Sequence, residues 1–245
     1  MRCQPYRALL VYKWLLNNQL CLLCDEPCHS PTALCEPCTQ ELPWLRERCR
    51  LCALPLAMEG LVCGQCSRRR PAFARVEAPW EYRFPVDGLI TRFKHKACWP
   101  LGRLLGELLG QWLQQRFEDG LARPDRLIAV PLGSRRLRLR GFNQAQMLAA
   151  WLAKSLGIAC DTRSLVRRHE TRAQQDLGAR ARQRNLRQAF HVQVPTAVEG
   201  LHIAVVDDVL TTGATAQVIA RCLRDAGARR VDIYCLARTA KPGHA

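Results

Sequence analysis

Two groups of residues have the types and spacings that do chemistry. The first is cysteine. Cys21 and Cys24, Cys35 and Cys38, Cys49 and Cys52, and Cys63 and Cys66 form four C-x-x-C pairs, each starting 14 residues after the one before. A C-x-x-C turn puts two sulfurs on one side of a tight knuckle, and two knuckles supply the tetrahedral thiolate set that Zn²⁺ takes. Eight ligands make two ions. A redox C-x-x-C needs one pair rather than a repeat, and a chain in a reducing compartment rarely keeps disulfides. Pairing by sequence adjacency, the first four cysteines on one ion and the last four on the other, is the simplest arrangement; an interleaved one satisfies the spacing equally. Neither set includes a non-cysteine ligand, so both sites are expected to be closed and structural. Cys3, Cys28, Cys98, Cys160, Cys222 and Cys235 fall outside the lattice and read as packing or surface thiols.

The second group is VVDDVLTTGAT, Val205 to Thr215. An aliphatic run delivers Asp207 and Asp208, whose carboxylates can accept hydrogen bonds from the vicinal hydroxyls of a sugar. Thr211, Thr212, Gly213, Ala214 and Thr215 follow where a helix should open. There the unpaired backbone N–H groups, the positive end of the helix dipole, the threonine hydroxyls and a glycine that permits close approach suit a phosphate monoester. Carboxylates beside a phosphate cradle indicate a sugar phosphate. P-loop NTPases also carry a hydrophobic strand ending in acid, but G-x-x-x-x-G-K-[ST] is absent, as are G-x-G-x-x-G and H-E-x-x-H.

A sheet and its helices must hold these groups. With 245 residues, 48% of them hydrophobic, the chain is globular, with room for one medium domain and a small one. Residues 1–70 are expected to form an N-terminal helix and a double zinc-ribbon domain, and residues 71–245 an α/β domain. Roughly 70 residues cut into short units bury too little apolar surface to fold alone, so zinc is expected to replace a core there. The opening MRCQPYRALLVYKWLLNNQL has Lys13 inside its apolar part and no small-residue cleavage site, and reads as an amphipathic helix rather than a secretion leader. No aliphatic run approaches the roughly 20 residues of a membrane span, so no membrane insertion is expected, and the cysteine usage points to a reducing cytoplasm.

Leu101, Leu104, Leu105, Leu108, Leu109, Trp112 and Leu113 recur at helical spacing between Leu101 and Phe117, and the short run RLIAVP ending at Pro131 follows as a strand. A helix over Asn143 to Leu156 and a short strand near Leu165 and Val166 come next. HIAVVDD is a buried strand, Ala214 to Ala226 a helix and VDIYCLA a second strand. Strand, crossover helix, strand implies a parallel sheet, whose ligands sit beyond the carboxyl ends of the strands. The formal charge is +16, about +12 once eight thiolates and two dications are counted, and all but five of the 37 basic residues are arginine, whose planar fork grips phosphate. Phosphorylated ligands or nucleic acid are the natural partners; a solvated basic surface is the bland alternative.

VVDDVLTTGAT resembles the diphosphate-sugar fingerprint of the type I phosphoribosyltransferases, which bind 5-phosphoribosyl-1-diphosphate (PRPP). RLRGFNQA at Arg138 to Ala145, T-x-x-Q at Thr171 to Gln174 with Leu177, R-x-x-N-x-x-x-A-F from Arg182 to Phe190, the cysteine-rich N-terminal part and the segment Leu89 to Lys94 are similar to the ComF family, and within it to the GntX-like branch. The resemblance implies that Asp207 and Asp208 bind the ribose hydroxyls and that Thr211 through Thr215 hold the 5′-phosphate. It places Leu132, Gly133, Ser134 and Arg135 where such enzymes grip pyrophosphate, with Arg135 or Arg136 as the cation. The arginine-rich segment Arg167 to Asn185 falls where the family has a mobile catalytic loop, a solvated connector being the alternative. Mg²⁺ is expected to accompany PRPP.

Three functions from different classes follow. The first is a phosphoribosyltransferase with an unspecified acceptor. The second is a PRPP-binding module without turnover. The third is a protein that contacts single-stranded DNA, alongside DNA-uptake machinery, as the family's association with natural transformation and with DNA as a nutrient implies. Trp44, Trp80, Trp99 and Phe142 are the candidate stacking aromatics for the last, and a core could claim each equally. The sequence names neither the acceptor nor the oligomeric state.

Overall fold

The computed structural model describes residues 19–58, 60–167 and 189–240. The expected N-terminal helix and nearly all of the arginine-rich segment lie outside these residues. The chain divides into two compact units between Leu42 and Pro43, upstream of the residue-70 boundary drawn from the sequence. The smaller unit holds the first two C-x-x-C pairs. Its chain folds back at a bridge between Leu20 and Pro27 and continues into helix α1 (Glu36–Gln40), which starts directly after Cys35.

The larger unit opens with the same device 28 residues later, a bridge between Arg48 and Pro55 and then helix α2 (Gly64–Arg68) starting after Cys63. The repeat in space is therefore 28 residues, twice the sequence period. In each copy the first C-x-x-C sits on a hairpin and the second at a helix entrance. A positive-φ residue follows each hairpin knuckle, Asp25 and Ala53, and turns the chain back beneath the sulfurs. The second ribbon is not self-sufficient. Leu45, Leu54 and Phe73 and its cysteines share one apolar core with Ile128, Leu210 and Ile219 of the α/β part. Burial of such side chains stabilises by about 1.5–3 kcal/mol each, so this ribbon has a core as well as a metal to hold it.

Beyond it come β1 (Arg75–Glu77), β2 (Trp80–Glu81), α3 (Val86–Lys96), α4 (Trp99–Glu118), β3 (Arg126–Ala129), α5 (Ser134–Arg140), α6 (Gln144–Leu156), β4 (Ala159–Asp161), β5 (Leu165–Arg167), β6 (Phe190–Val192), β7 (His202–Leu210), α7 (Ala214–Asp225) and β8 (Arg230–Arg238). The main sheet is parallel, in the order β1-β8-β7-β3-β4, with β2 also on β8, as the strand–helix–strand pattern requires. β7 is buried on both faces, which is why it reads as a continuous aliphatic run. β5 and β6 form a separate antiparallel pair.

α4 begins two residues before its leucine stripe because Pro100 supplies the preset φ of a first helical turn. Its Gly102 lets Phe93 of α3 lie against the helix backbone; a Cβ there would stand 2.5 Å from the ring. That contact seats the last turn of α3, where Lys94 lies. Asn143 caps α6, its Oδ1 accepting from the N–H groups of Ala145 and Gln146 while its Nδ2 donates to the carbonyl of Val130 at 3.0 Å. The asparagine of the RLRGFNQA motif therefore ties a helix start to the exit of β3.

Candidate functional site

β7 is paired with β3 only as far as Val206, opposite Ala129, whereas on its other side the ladder with β8 runs on to Leu210 opposite Arg238. Asp207 and Asp208 thus emerge where β3 has ended, at the carboxyl edge of the sheet. The segment Leu132, Gly133 and Ser134 leaves β3 at the same edge and enters α5, with Gly133 at its N-cap and Arg135 and Arg136 exposed in its first turn. The two sequence-predicted loops are neighbours because their strands are.

The acidic pair is held tightly. The N–H of Asp208 donates to Asp207 Oδ1 at 2.8 Å and the N–H of Val209 to Asp208 Oδ1 at 2.7 Å. Asp208 is buried, and Lys94 Nζ reaches its Oδ2 at 2.9 Å, the lysine side chain itself only 19% exposed. Burial first, and then the neighbouring Asp208 carboxylate, push the Asp207 carboxyl up to about 8, with Lys94 acting in the opposite sense. Lys94 is a site residue that sequence reasoning did not assign a role. Its only signal was membership of the Leu89 to Lys94 segment, since the contact spans more than a hundred residues of chain.

Past Leu210 the chain turns through Thr211 and Thr212 into α7. Gly213 takes φ +76° at the N-cap, a conformation that costs glycine nothing. Thr212 Oγ1 accepts the N–H of Ala214 at 3.3 Å, so this hydroxyl caps the helix. Thr211 and Thr212 are exposed, and the first-turn N–H groups, unpaired within the helix, lie at the positive end of its dipole. A cavity of about 290 Å³ borders this loop and takes in neither carboxylate. Gly213, Gln217 and Arg221 line it, as do Arg69 and Arg70 after the second ribbon. Its guanidinium groups make it a recess that draws anions.

The cysteines resolve into Cys21, Cys24, Cys35 and Cys38 in one cluster and Cys49, Cys52, Cys63 and Cys66 in the other, with all four sulfurs of each within 4.8 Å of one another. The interleaved alternative is thereby excluded. Sulfur pairs at 3.7 Å, Cys24 to Cys35 and Cys52 to Cys63, match the edge of about 3.8 Å that a tetrahedron with Zn–S bonds of about 2.3 Å would have. Burial opposes ionisation of Cys21 and Cys49. Backbone N–H groups aimed at their sulfurs outweigh it, from Cys35, Leu23 and Cys24 in one case and from Cys63, Cys52 and Leu51 in the other, and bring the thiols to about 6 and about 7. Burial and the surrounding sulfurs push Cys38 and Cys66 up instead, a crowding that a dication relieves. The donor sets fit two structural Zn²⁺ ions.

Among the candidate stacking aromatics, Trp80 is fully buried and Trp44 packs on it with ring centres 5.7 Å apart, so both belong to a core. Trp99 is 54% exposed and meets the half-buried Phe142 edge-on at 6.4 Å, next to α5, where Leu137 and Leu139 are exposed among arginines. The motif residues from Thr171 to Gln188 lie outside the described residues.

The double zinc ribbon domain family matches residues 11–67. The DNA utilization protein YhgH of Salmonella typhimurium is 39% identical over 222 residues, 90% of this chain and 97% of that one. Competence protein F of Haemophilus influenzae is 30% identical, with 90% and 97% covered. The chain belongs to the ComF family. Competence protein ComFC of Bacillus subtilis is a more distant relative of this ComF-family protein, 24% identical across 91% of the chain and 97% of its own length. Among solved structures, a glutamine PRPP amidotransferase from B. subtilis complexed with ADP and GMP aligns with TM-score 0.38 and 23% identity, over 55% of this chain and 25% of that one. The ComF-family protein is a parallel-sheet α/β domain preceded by a double zinc ribbon. No helix among the described residues is long and apolar enough to cross a membrane.

Proposed function

We propose that this ComF-family protein binds PRPP with Mg²⁺ in the crevice where β7 outruns β3, and that it serves the uptake or use of DNA. The observation that carries the reading is the sequence of groups along one strand exit: two carboxylates steadied by Lys94, then a helix entrance built on Gly213. Asp207 and Asp208 accept the 2′- and 3′-hydroxyls, the N–H groups from Thr211 to Thr215 take the 5′-phosphate, and Leu132, Gly133 and Ser134 with Arg135 or Arg136 face the diphosphate. Mg²⁺ would supply neutralising charge at the diphosphate, and the oxygen donors of the crevice would match its hardness.

If the protein transfers the phosphoribosyl group, its own residues bind and orient rather than attack. Fixing the ribose between carboxylates and phosphate cradle sets C1′ in place, and the arginines of α5 stabilise charge on departing pyrophosphate. Calorimetric titration of the zinc-loaded protein with PRPP tests the binding. Uptake that needs Mg²⁺ and is lost in Asp207→Asn/Asp208→Asn supports it, and no uptake overturns it. Pyrophosphate release with a panel of acceptors then separates a transferase from a binding module.

The names of the relatives and the exposed Trp99 beside the arginines of α5 support a second reading, direct contact with single-stranded DNA. Affinity should then fall steeply with salt while the Asp207→Asn/Asp208→Asn variant keeps it. A weak, salt-insensitive response removes that reading and leaves the sugar-phosphate one intact.

A further inference from the structure

Arg238, the last residue of β8, is 6% exposed, and its guanidinium is spent on backbone carbonyls. Nε donates to the carbonyl of Cys52 at 3.0 Å. Nη1 is shared among the carbonyls of Leu210 at 3.1 Å, Thr239 at 2.8 Å and Thr211. Cys52 belongs to the second zinc set, and Leu210 and Thr211 begin the phosphate loop. One buried cation therefore bridges a metal knuckle and an anion cradle that are more than 150 residues apart in sequence.

We propose that Arg238 is a positioning residue through which zinc occupancy of the second ribbon sets the phosphate-binding loop. The reasoning rests on the planarity of the peptide group. In a trans peptide the C=O and the following N–H point in opposite directions. Holding the carbonyls of Leu210 and Thr211 on the guanidinium turns the N–H groups of Thr211 and Thr212 away from it, outward from the packed side of the loop. The fork can do this only while its other arm is anchored. That anchor is the Cys52 carbonyl, aimed by a knuckle in which Ala53 adopts φ +51° and its N–H donates to the Cys49 carbonyl at 2.9 Å. The sulfurs of the set keep the knuckle closed when they share a dication; without it, no bond ties the Cys49–Cys52 hairpin to Cys63 and Cys66, and the carbonyl loses its aim.

A guanidinium suits the task because its donors form a rigid planar fork that spans two directions, which an ammonium cannot. The contact also explains why the second ribbon is built into the α/β core while carrying closed, non-catalytic metal chemistry. The phosphate ligand named here rests on the function proposed above; the coupling between metal and loop does not.

The experiment uses the full chain, with zinc content measured in every variant. Arg238→Met should keep both zinc ions yet raise hydrogen exchange across Thr211 to Thr215, leave exchange in β3 unchanged, and weaken PRPP binding about tenfold, the scale of one misplaced charged-group hydrogen bond. Arg238→Lys should fold and fall between the two. Cys63→Ser/Cys66→Ser, which empties the second site, should reproduce the loop exchange, and adding Arg238→Met to it should bring no further change, since both remove one linkage. Normal loop exchange in Arg238→Met, or additive effects in the combined variant, overturns the proposal. A wild-type protein that shows zinc-dependent loop exchange but takes up no PRPP would refute the ligand and leave the coupling standing.

Discussion

Lys94→Met removes the cation that neutralises the acidic pair, and its cost should far exceed that of removing a solvated lysine. The lysine lies 2.9 Å from Asp208, with both side chains largely covered. Deleting one partner of a buried pair costs about 3–5 kcal/mol while the other stays charged. For a chain of this size that is a Tm loss of about 6–20 °C. Differential scanning calorimetry of the variant and the wild type reads this directly. A loss within the roughly 0.5 kcal/mol of an ordinary surface substitution would refute the account of Lys94 as the counter-ion of a buried carboxylate.

Three further outcomes follow from the same geometry. Asp207 holds its proton up to about 8 in the folded state and only to about 4 in the unfolded chain, so its contribution is lost as pH rises between those values; urea midpoints of Asp207→Asn should gain on the wild type from pH 5 to pH 8. Gly213→Ala places a side chain at φ +76° with no atom within 4 Å of the new Cβ, so the expected cost is the backbone strain alone, about 1 kcal/mol by denaturant titration, accompanied by weaker PRPP uptake. Gly102→Ala drives a methyl to 2.5 Å from the Phe93 ring and should lower stability by about 1–3 kcal/mol through overpacking; an unchanged Tm would mean that α3 and α4 separate freely.

Periodic and contiguous features were legible in the sequence. The leucine stripe of α4, the aliphatic β7 and the C-x-x-C pairs each repeat a local physical demand, whether the turn of a helix, the two buried faces of a central strand or the bite of a metal knuckle. Arg238 and Lys94 were not legible in their roles, because each acts on a residue far along the chain and neither differs in type from its solvated counterparts. Trp44 and Trp80 looked as suited to a stacking surface as Trp99 does. Only their packing against each other set them apart.

By itself, the sequence determined the chemistry available: eight cysteines for two zinc ions, and an acidic pair leading into a glycine- and threonine-rich helix entrance, because ligand type and short spacing are local properties. The tertiary structure decided how those parts are joined. It showed the 14-residue cysteine period to be half of a 28-residue unit, paired the knuckles by adjacency, merged the second ribbon into the α/β core, and brought a lysine and an arginine from distant segments to the strand that carries the site. Those choices depend on which apolar surfaces meet, and long-range packing leaves no periodic trace along the chain.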